Sequence, residues 1–207
     1  MSFEEYWNET HKKYFTGKVI YDNWLVKYNN ILSKCRTSIL DLGCGEGNDT
    51  LYLIEKGYKV ISLDYSKESL NIVSNNIKES KVILADISSK LPFDDNSFDI
   101  IVADLSLHYF NLETTKQIML EIKRILTKNG ALLARVNSLN DLNFGAQMGQ
   151  KIEEDYYFVS GYNKRFFSTK TANEIFSIIG PTKVIESDML RYSKLKKVIE
   201  IYTKVSK

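Results

Sequence analysis

Between positions 38 and 47 the chain reads Ser38-Ile39-Leu40-Asp41-Leu42-Gly43-Cys44-Gly45-Glu46-Gly47. An apolar run ends in an aspartate, three glycines follow at every second position, and a helical pattern begins beyond them. That order demands a strand, a turn made by residues without a Cβ, and a helix N-terminus. The turn exposes backbone N–H groups at the carboxyl end of a strand, where open α/β sheets bind their ligands.

From Ser38 onward, strand and helix patterns alternate. The helix after the glycine turn carries Leu51 and Ile54 and stops at Gly57, which suits a left-handed C-cap. Tyr58–Leu63 is a strand ending at Asp64. Ser66 is placed to cap a helix with Leu70, Val73 and Ile77 on one face. Lys81–Ala85 ends at Asp86 and Phe98–Ala103 ends at Asp104. A helix with Ile118, Ile122 and Ile125 in register closes near Asn129-Gly130, and Ala131–Val136 is a fifth strand. Strands separated by helices call for a parallel sheet with helices on both faces. The tail departs from this pattern. After a helix with Ala172, Ile175, Phe176 and Ile179, the strand-like runs Thr182–Ser187 and Lys196–Val205 lie close together, which calls for an antiparallel hairpin.

Residues 2–32 read as helical and hold many of the aromatic rings, among them Tyr14 and Tyr21. They suit a helical layer packed on the sheet; the alternative, a lid over the ligand with Tyr14 and Tyr21 in the pocket, is what the segment's resemblance to lidded proteins implies. The stretch 138–167 shows no strong period; a loop of that length inside a compact domain is more often functional than idle.

A chain of 207 residues, 43% hydrophobic and 26% charged, suits one globular domain. A net charge of +2 supplies no field for nucleic acid or membrane surfaces. The start of the chain has neither the basic residues nor the apolar run of a signal peptide, and Cys35 and Cys44 form no disulfide framework or metal cluster. The expectation is a cytoplasmic protein with no metal, no membrane or nucleic-acid partner, acting as a monomer or homodimer.

Asp41, Asp64 and Asp86 follow at intervals of 23 and 22 residues, about one strand-plus-helix unit each, so all three fall on one sheet edge. A carboxylate after the second strand suits a ribose diol, because it accepts two hydroxyl hydrogen bonds at once. Asp41, Gly43, Gly45 and Gly47 together resemble the first motif of class I methyltransferases that use S-adenosylmethionine. The nicotinamide-dinucleotide fingerprint needs glycine at position 48 or 50, where this chain has Asn48 and Thr50. The run from Leu91-Pro92-Phe93 to Phe98-Asp99 also resembles the segment before the fourth strand in many small-molecule methyltransferases.

The resemblance covers most of residues 36–205. It implies a Rossmann-like, doubly wound, mostly parallel seven-stranded α/β sheet with one antiparallel strand near the C-terminus and an N-terminal helical lid. One domain would comprise a lid (1–36), a cofactor half (37–137) and a substrate side (138–207). It implies an enzyme that takes a methyl group from S-adenosylmethionine, with S-adenosylhomocysteine as product and a small molecule as acceptor. Asp41, Gly43, Cys44, Gly45 and Gly47 would form the cofactor turn, Asp64 would meet the ribose with Tyr65 beside it on the cofactor, and Asp86 and Ile87 would meet the adenine. Asp104 and Leu105 would meet the methionine part.

His108 is either a general base or a residue that lines or supports the site. Arg135–Ser138 with Lys164–Phe167 look similar to a bacterial subgroup that includes tellurite-resistance proteins. There Arg135, Lys164 and Arg165 are either holders of an anionic substrate or surface charge. The absence of an Asp/Asn-Pro-Pro-aromatic run after the fourth strand disfavours nucleobase substrates. Methylation of tRNA or protein, a non-catalytic S-adenosylmethionine sensor and a nicotinamide oxidoreductase are the alternatives.

Overall fold

A computed structural model describes residues 3–206, so Met1 and Ser2 of the expected lid, and Lys207, lie outside the described residues. The chain begins with α1 (Phe3–Tyr14), a 3-10 turn (Trp24–Tyr28) and α2 (Asn29–Leu32). β1 (Ile39–Leu42), α3 (Asn48–Glu55), β2 (Val60–Asp64), α4 (Lys67–Asn76), β3 (Lys81–Leu84), β4 (Phe98–Asp104), α5 (Leu112–Ile125) and β5 (Leu126–Asn137) then alternate as expected. The substrate side holds β6 (Gln150–Glu153), β7 (Tyr156–Val159), β8 (Tyr162–Arg165), α6 (Thr169–Phe176), β9 (Thr182–Arg191) and β10 (Lys194–Lys204).

Seven strands form one sheet in the order β3-β2-β1-β4-β5-β10-β9. β1 to β5 are parallel, and β10 runs antiparallel to both β5 and β9. β10 is therefore the one strand that runs against the rest.

The two sheet faces follow from a period of two along the strands. Leu40, Leu42, Ile101, Ala103, Leu132 and Ala134 pack against Ile118, Ile122 and Ile125 of α5 and Ala172 and Phe176 of α6. The alternate residues Ile39, Ile100, Val102 and Leu133 pack against Trp24, Leu25, Leu32 and Leu53. Each Leu, Ile, Val or Phe side chain among them, fully buried, contributes about 1.5–3 kcal/mol relative to exposure. α4 packs separately through Leu70, Val73 and Ile77 with Val19 and Cys44. Its cap is as expected, with Ser66 Oγ accepting the Ser69 N–H. Among the described residues, no helix is long and apolar enough to cross a membrane.

The structure corrects four local readings. α5 stops at Ile125, because Leu126 already pairs with Phe98. Gly130 thus lies inside β5, where an added Cβ would stand 3.1 Å from the Phe98 carbonyl. Between Tyr14 and Trp24 the N-terminal segment is not helical. The stretch 138–167 holds an antiparallel sheet, β6-β7-β8, whose tight turns use positive φ at Asp155 (57°), Ser160 (54°) and Gly161 (95°).

Finally, the C-terminal hairpin is longer than its apolar runs suggest. β9 and β10 meet at a two-residue turn, Tyr192-Ser193, with φ of 51° and 59°. Positive φ at both positions is the type I′ geometry that matches strand twist. Because Val198 pairs with Asn137, the last residue of β5, the segments 188–191 and 194–197 overhang the carboxyl edge of the sheet.

Candidate functional site

A cavity of about 430 Å³ lies at the carboxyl ends of β1, β2 and β4, within the size range of small-molecule sites. Its floor is the glycine turn, where Gly43, Gly45 and Gly47 have φ of 77°, 51° and 88°. A Cβ on Gly43 would stand 2.4 Å from Ser106 Cβ, and one on Gly47 would stand 2.9 Å from side chains of Val73 and Ile77. At Gly45 the nearest atom is His11 Cε1 of α1, 3.6 Å away, so that glycine keeps open space beneath the lid. A shallower depression of about 600 Å³, lined by Ser38, Lys90, Asp94 and Ser97 among others, lies at the opposite edge, where β1 and β4 begin.

Asp64 closes β2 with both carboxylate oxygens engaged. Oδ2 accepts the Gly45 N–H at 2.8 Å and Oδ1 accepts the Ser66 N–H at 2.8 Å. These bonds fix its direction and leave lone pairs for further donors. Asp86 accepts from the Ser88 N–H (2.8 Å) and hydroxyl (2.7 Å), both through Oδ1. Asp41 is buried, accepts the Thr50 hydroxyl at 2.6 Å, and is pushed up to about 7 by burial and by its neighbours Asp104 and Asp64. Asp104 faces Arg135, which also reaches Asp22.

Of the expected cofactor residues, Asp41, Gly43, Cys44, Gly45, Asp64, Tyr65, Asp86, Ile87, Asp104 and Leu105 line the cavity. Gly47 instead caps α3 behind it. Tyr14, Tyr21 and Arg135 also line it. His108, Lys164 and Arg165 stand outside the cavity wall. Burial, then Lys196, Lys164 and Arg191, hold the His108 imidazole well below its usual range, and its Nδ1 is buried without a partner. Lys164 Nζ donates to the Phe144 carbonyl at 3.3 Å and lies 4.5 Å from the centre of the Tyr162 ring. Arg165 pairs with Glu153 and donates to the carbonyls of Phe110 and Glu154.

Three groups of wall residues were not expected. The lid supplies Trp7, Thr10 and His11, latched by His11 Nδ1 to Glu46 at 3.3 Å and by Asn8 to Ser66 Oγ and the Glu68 N–H. Trp7 also packs edge-on against Tyr109, which neighbours Tyr162 of β8, so the lid, the loop after β4 and the small sheet meet over the cavity. Asp49, in the first turn of α3, is buried and accepts the Trp24 indole N–H at 2.9 Å. The overhanging hairpin supplies Met189, Leu190, Arg191 and Tyr192.

The resulting wall is strongly acidic. It holds Asp22, Asp41, Glu46, Asp49, Asp64, Asp86 and Asp104 against the guanidiniums of Arg135 and Arg191. Burial raises Asp41, Asp49 and Asp64 above the usual carboxylate range, as expected where acids crowd a site with few cations. Such a wall favours a positively charged ligand. Among the described residues, no cluster of three or more His, Cys, Asp or Glu is arranged to hold a metal.

Residues 40–134 match the family model described as a methyltransferase domain. The malonyl-acyl-carrier-protein O-methyltransferase of Hamiltonella defensa is 28% identical over 137 residues, covering 66% of this chain and 50% of its own. The probable S-adenosyl-L-methionine-dependent methyltransferase TehB of Haemophilus influenzae is 31% identical over 157 residues, covering 70% and 52% respectively. The chain therefore spans about half the length of these curated relatives. A SAM-dependent methyltransferase structure from Methanosarcina mazei superimposes with a TM-score of 0.69 at 20% identity, over 89% of this chain and 98% of that one. The 1,6-didemethyltoxoflavin-N1-methyltransferase of Burkholderia thailandensis, with bound S-adenosylhomocysteine, gives 0.61 at 15% identity over 82% and 71%. Both share its fold.

Proposed function

We propose that this chain, which carries a class I S-adenosylmethionine-dependent methyltransferase domain, methylates a small-molecule acceptor in the cavity beneath α1. The observation that carries the reading is Asp64, held by the Gly45 and Ser66 N–H groups and facing the same cavity as Asp86. A diol-binding carboxylate and a second acid one strand along is the spacing an adenosine demands. The open space over Gly45 and the acidic wall fit a flat, positively charged ligand.

When bound, S-adenosylmethionine supplies a methyl group on a positively charged sulfur that leaves as a neutral thioether, S-adenosylhomocysteine. The chain's own work is positioning. Asp64 holds the ribose hydroxyls and Asp86 the adenine amine, while Gly43 and Gly45 let the backbone approach. The Asp104 backbone and Leu105, whose N–H is tied to the Arg135 carbonyl at 2.9 Å, set the methionine end. Trp7 and Tyr109 cover the site, excluding water and lining up the acceptor, and alignment of this kind supplies a large share of a transfer rate. A cavity closed by lid and hairpin leaves room for a small acceptor. The toxoflavin-type substrate named for the Burkholderia neighbour is consistent with that class.

Calorimetric titration with S-adenosylmethionine, S-adenosylhomocysteine and NADH tests the reading. The first two bind the unaltered protein, and Asp64→Ala weakens both by at least about tenfold, as loss of charge-assisted hydrogen bonds requires. Folded protein that binds neither rejects it, and NADH binding in their place points to hydride transfer.

A further inference from the structure

Arg191 closes β9 at the tip of the overhang, and its side chain is part of the cavity wall. Among the described wall residues it and Arg135 carry the permanent positive charges. Arg135 is filled by Asp104 and Asp22. Arg191 makes no ion pair with a carboxylate among the described residues; it lies 5.2 Å from the centre of the Tyr192 ring. Arg124, Arg135 and Arg165, the other arginines withdrawn from solvent, each hold at least one carboxylate. A half-buried guanidinium in contact with no carboxylate, with Asp104 attracting it from further off, is poised for an anion from outside, and its planar fork matches a carboxylate bidentately.

Its place in the sheet separates this charge from the acids assigned to the adenosine. Asp64 and Asp86 follow β2 and β3, at one end of the strand order, whereas β9 is the last strand at the other end. The carboxylates of the acidic wall disfavour an anion across most of the cavity. Only the hairpin tip offers compensation. Met189 and Tyr109 give an apolar wall beside it, and Leu190 and Tyr192 are exposed at the mouth.

We propose that Arg191 determines acceptor specificity by seating a carboxylate of the methyl acceptor at the hairpin tip. Acceptors of this enzyme are then small organic acids whose uncharged body reaches inward while the anion stays at the mouth. The proposal rests on the methyltransferase reading of the same cavity.

The test uses benzoate and its neutral analogue benzamide, titrated into protein saturated with S-adenosylhomocysteine and followed by calorimetry or ligand-observed NMR. Benzoate should bind at least about tenfold more tightly than benzamide, the worth of a charge-assisted pair. Arg191→Gln should abolish that preference and leave the affinities for benzamide and S-adenosylhomocysteine unchanged, while Arg191→Lys restores part of it. Equal binding of the two probes, no saturable benzoate binding, or a preference that survives Arg191→Gln overturns the proposal. So does a loss of S-adenosylhomocysteine affinity in Arg191→Gln, which would put Arg191 on the cofactor's own carboxylate. Failure of the unaltered protein to bind S-adenosylhomocysteine rejects the methyltransferase reading instead, and the benzoate titration on ligand-free protein still reports on Arg191.

Discussion

Asp104 and Arg135 are register partners at the carboxyl ends of β4 and β5, joined by Nε–Oδ1 and Nη2–Oδ2 hydrogen bonds of 2.6 and 2.8 Å. The remaining Nη1 reaches Asp22 at 2.8 Å, and the guanidinium lies 4.7 Å from the centre of the Trp24 ring. Burial works against the charge on Arg135, and Asp104 and Asp22 more than offset it. One side chain thus ties the sheet edge to the segment that descends from the lid. Asp104 and Asp22 are the anions that face Arg135.

Replacing Arg135 by Met or Gln would leave Asp104 without its partner beside the buried Asp41 and Asp49. Breaking a buried pair from one side costs about 3–5 kcal/mol. Urea unfolding near neutral pH should show a loss of that size. A loss below about 1 kcal/mol, the worth of a surface pair, would mean that the cluster is solvated.

Gly43 and Gly45 should separate folding from binding. At Gly43 an alanine methyl meets Ser106 at 2.4 Å and the φ is 77°, so Gly43→Ala should destabilise by about 2 kcal/mol or more through overpacking and backbone strain. At Gly45 nothing lies closer than 3.6 Å, so Gly45→Ala should cost about 1 kcal/mol of conformational strain. Its methyl would occupy the open space under the lid and weaken S-adenosylhomocysteine binding by at least tenfold for about 1.4 kcal/mol lost. Thermal denaturation should show the larger loss in Gly43→Ala, and calorimetry should show binding by Gly45→Ala weakened out of proportion to its small loss of stability.

What was legible in the sequence was whatever one local pattern encodes. β2 and β4 are apolar runs closed by an acid, β1 carries one as its third residue, and the interval from Asp41 to Asp64 to Asp86 is one strand-plus-helix unit, so those residues could be placed without a structure. Asp49 could not: in the first turn of a helix an acid needs no further reason, and only the packing of Trp24 against it marks it as part of the wall. The hairpin tip was hidden by its turn. Type I′ turns favour Asn-Gly, whereas here Tyr192-Ser193 takes the positive φ, so the apolar runs point to strands that stop at Ser187 and resume at Lys196. β6, β7 and β8 are four residues each, too short for a period to emerge.

His108 supplies a direct test of where protons move. Burial and the nearby Lys196, Lys164 and Arg191 disfavour its charged form, and it does not line the cavity. Its imidazole should stay neutral where an unperturbed imidazole, near 6.5, takes up its proton, seen in NMR as ring chemical shifts that do not titrate there. A titration midpoint between 6 and 7 would return His108 to consideration as a base.

The acidic wall predicts how cofactor affinity follows pH. Burial, then the charges of Asp104 and Asp64, push Asp41 up to about 7, and Asp49 and Asp64 are also raised. Folded-state values above the unfolded ones mean that the folded protein holds extra protons through this window. The stability these groups contribute is therefore present in acid and lost as pH rises through the folded values, near 7 for Asp41. A positively charged ligand prefers the ionised wall, so its binding must release protons and strengthen with pH. S-adenosylmethionine carries one more positive charge than S-adenosylhomocysteine. From pH 6 to 8 its affinity should rise by about threefold or more relative to that of the product, with a limit of tenfold per pH unit for one linked proton. Calorimetry in two buffers of different ionisation enthalpy reads the released protons directly. Identical pH profiles for the two ligands, with no proton release, would mean that the carboxylates are ionised before the cofactor arrives.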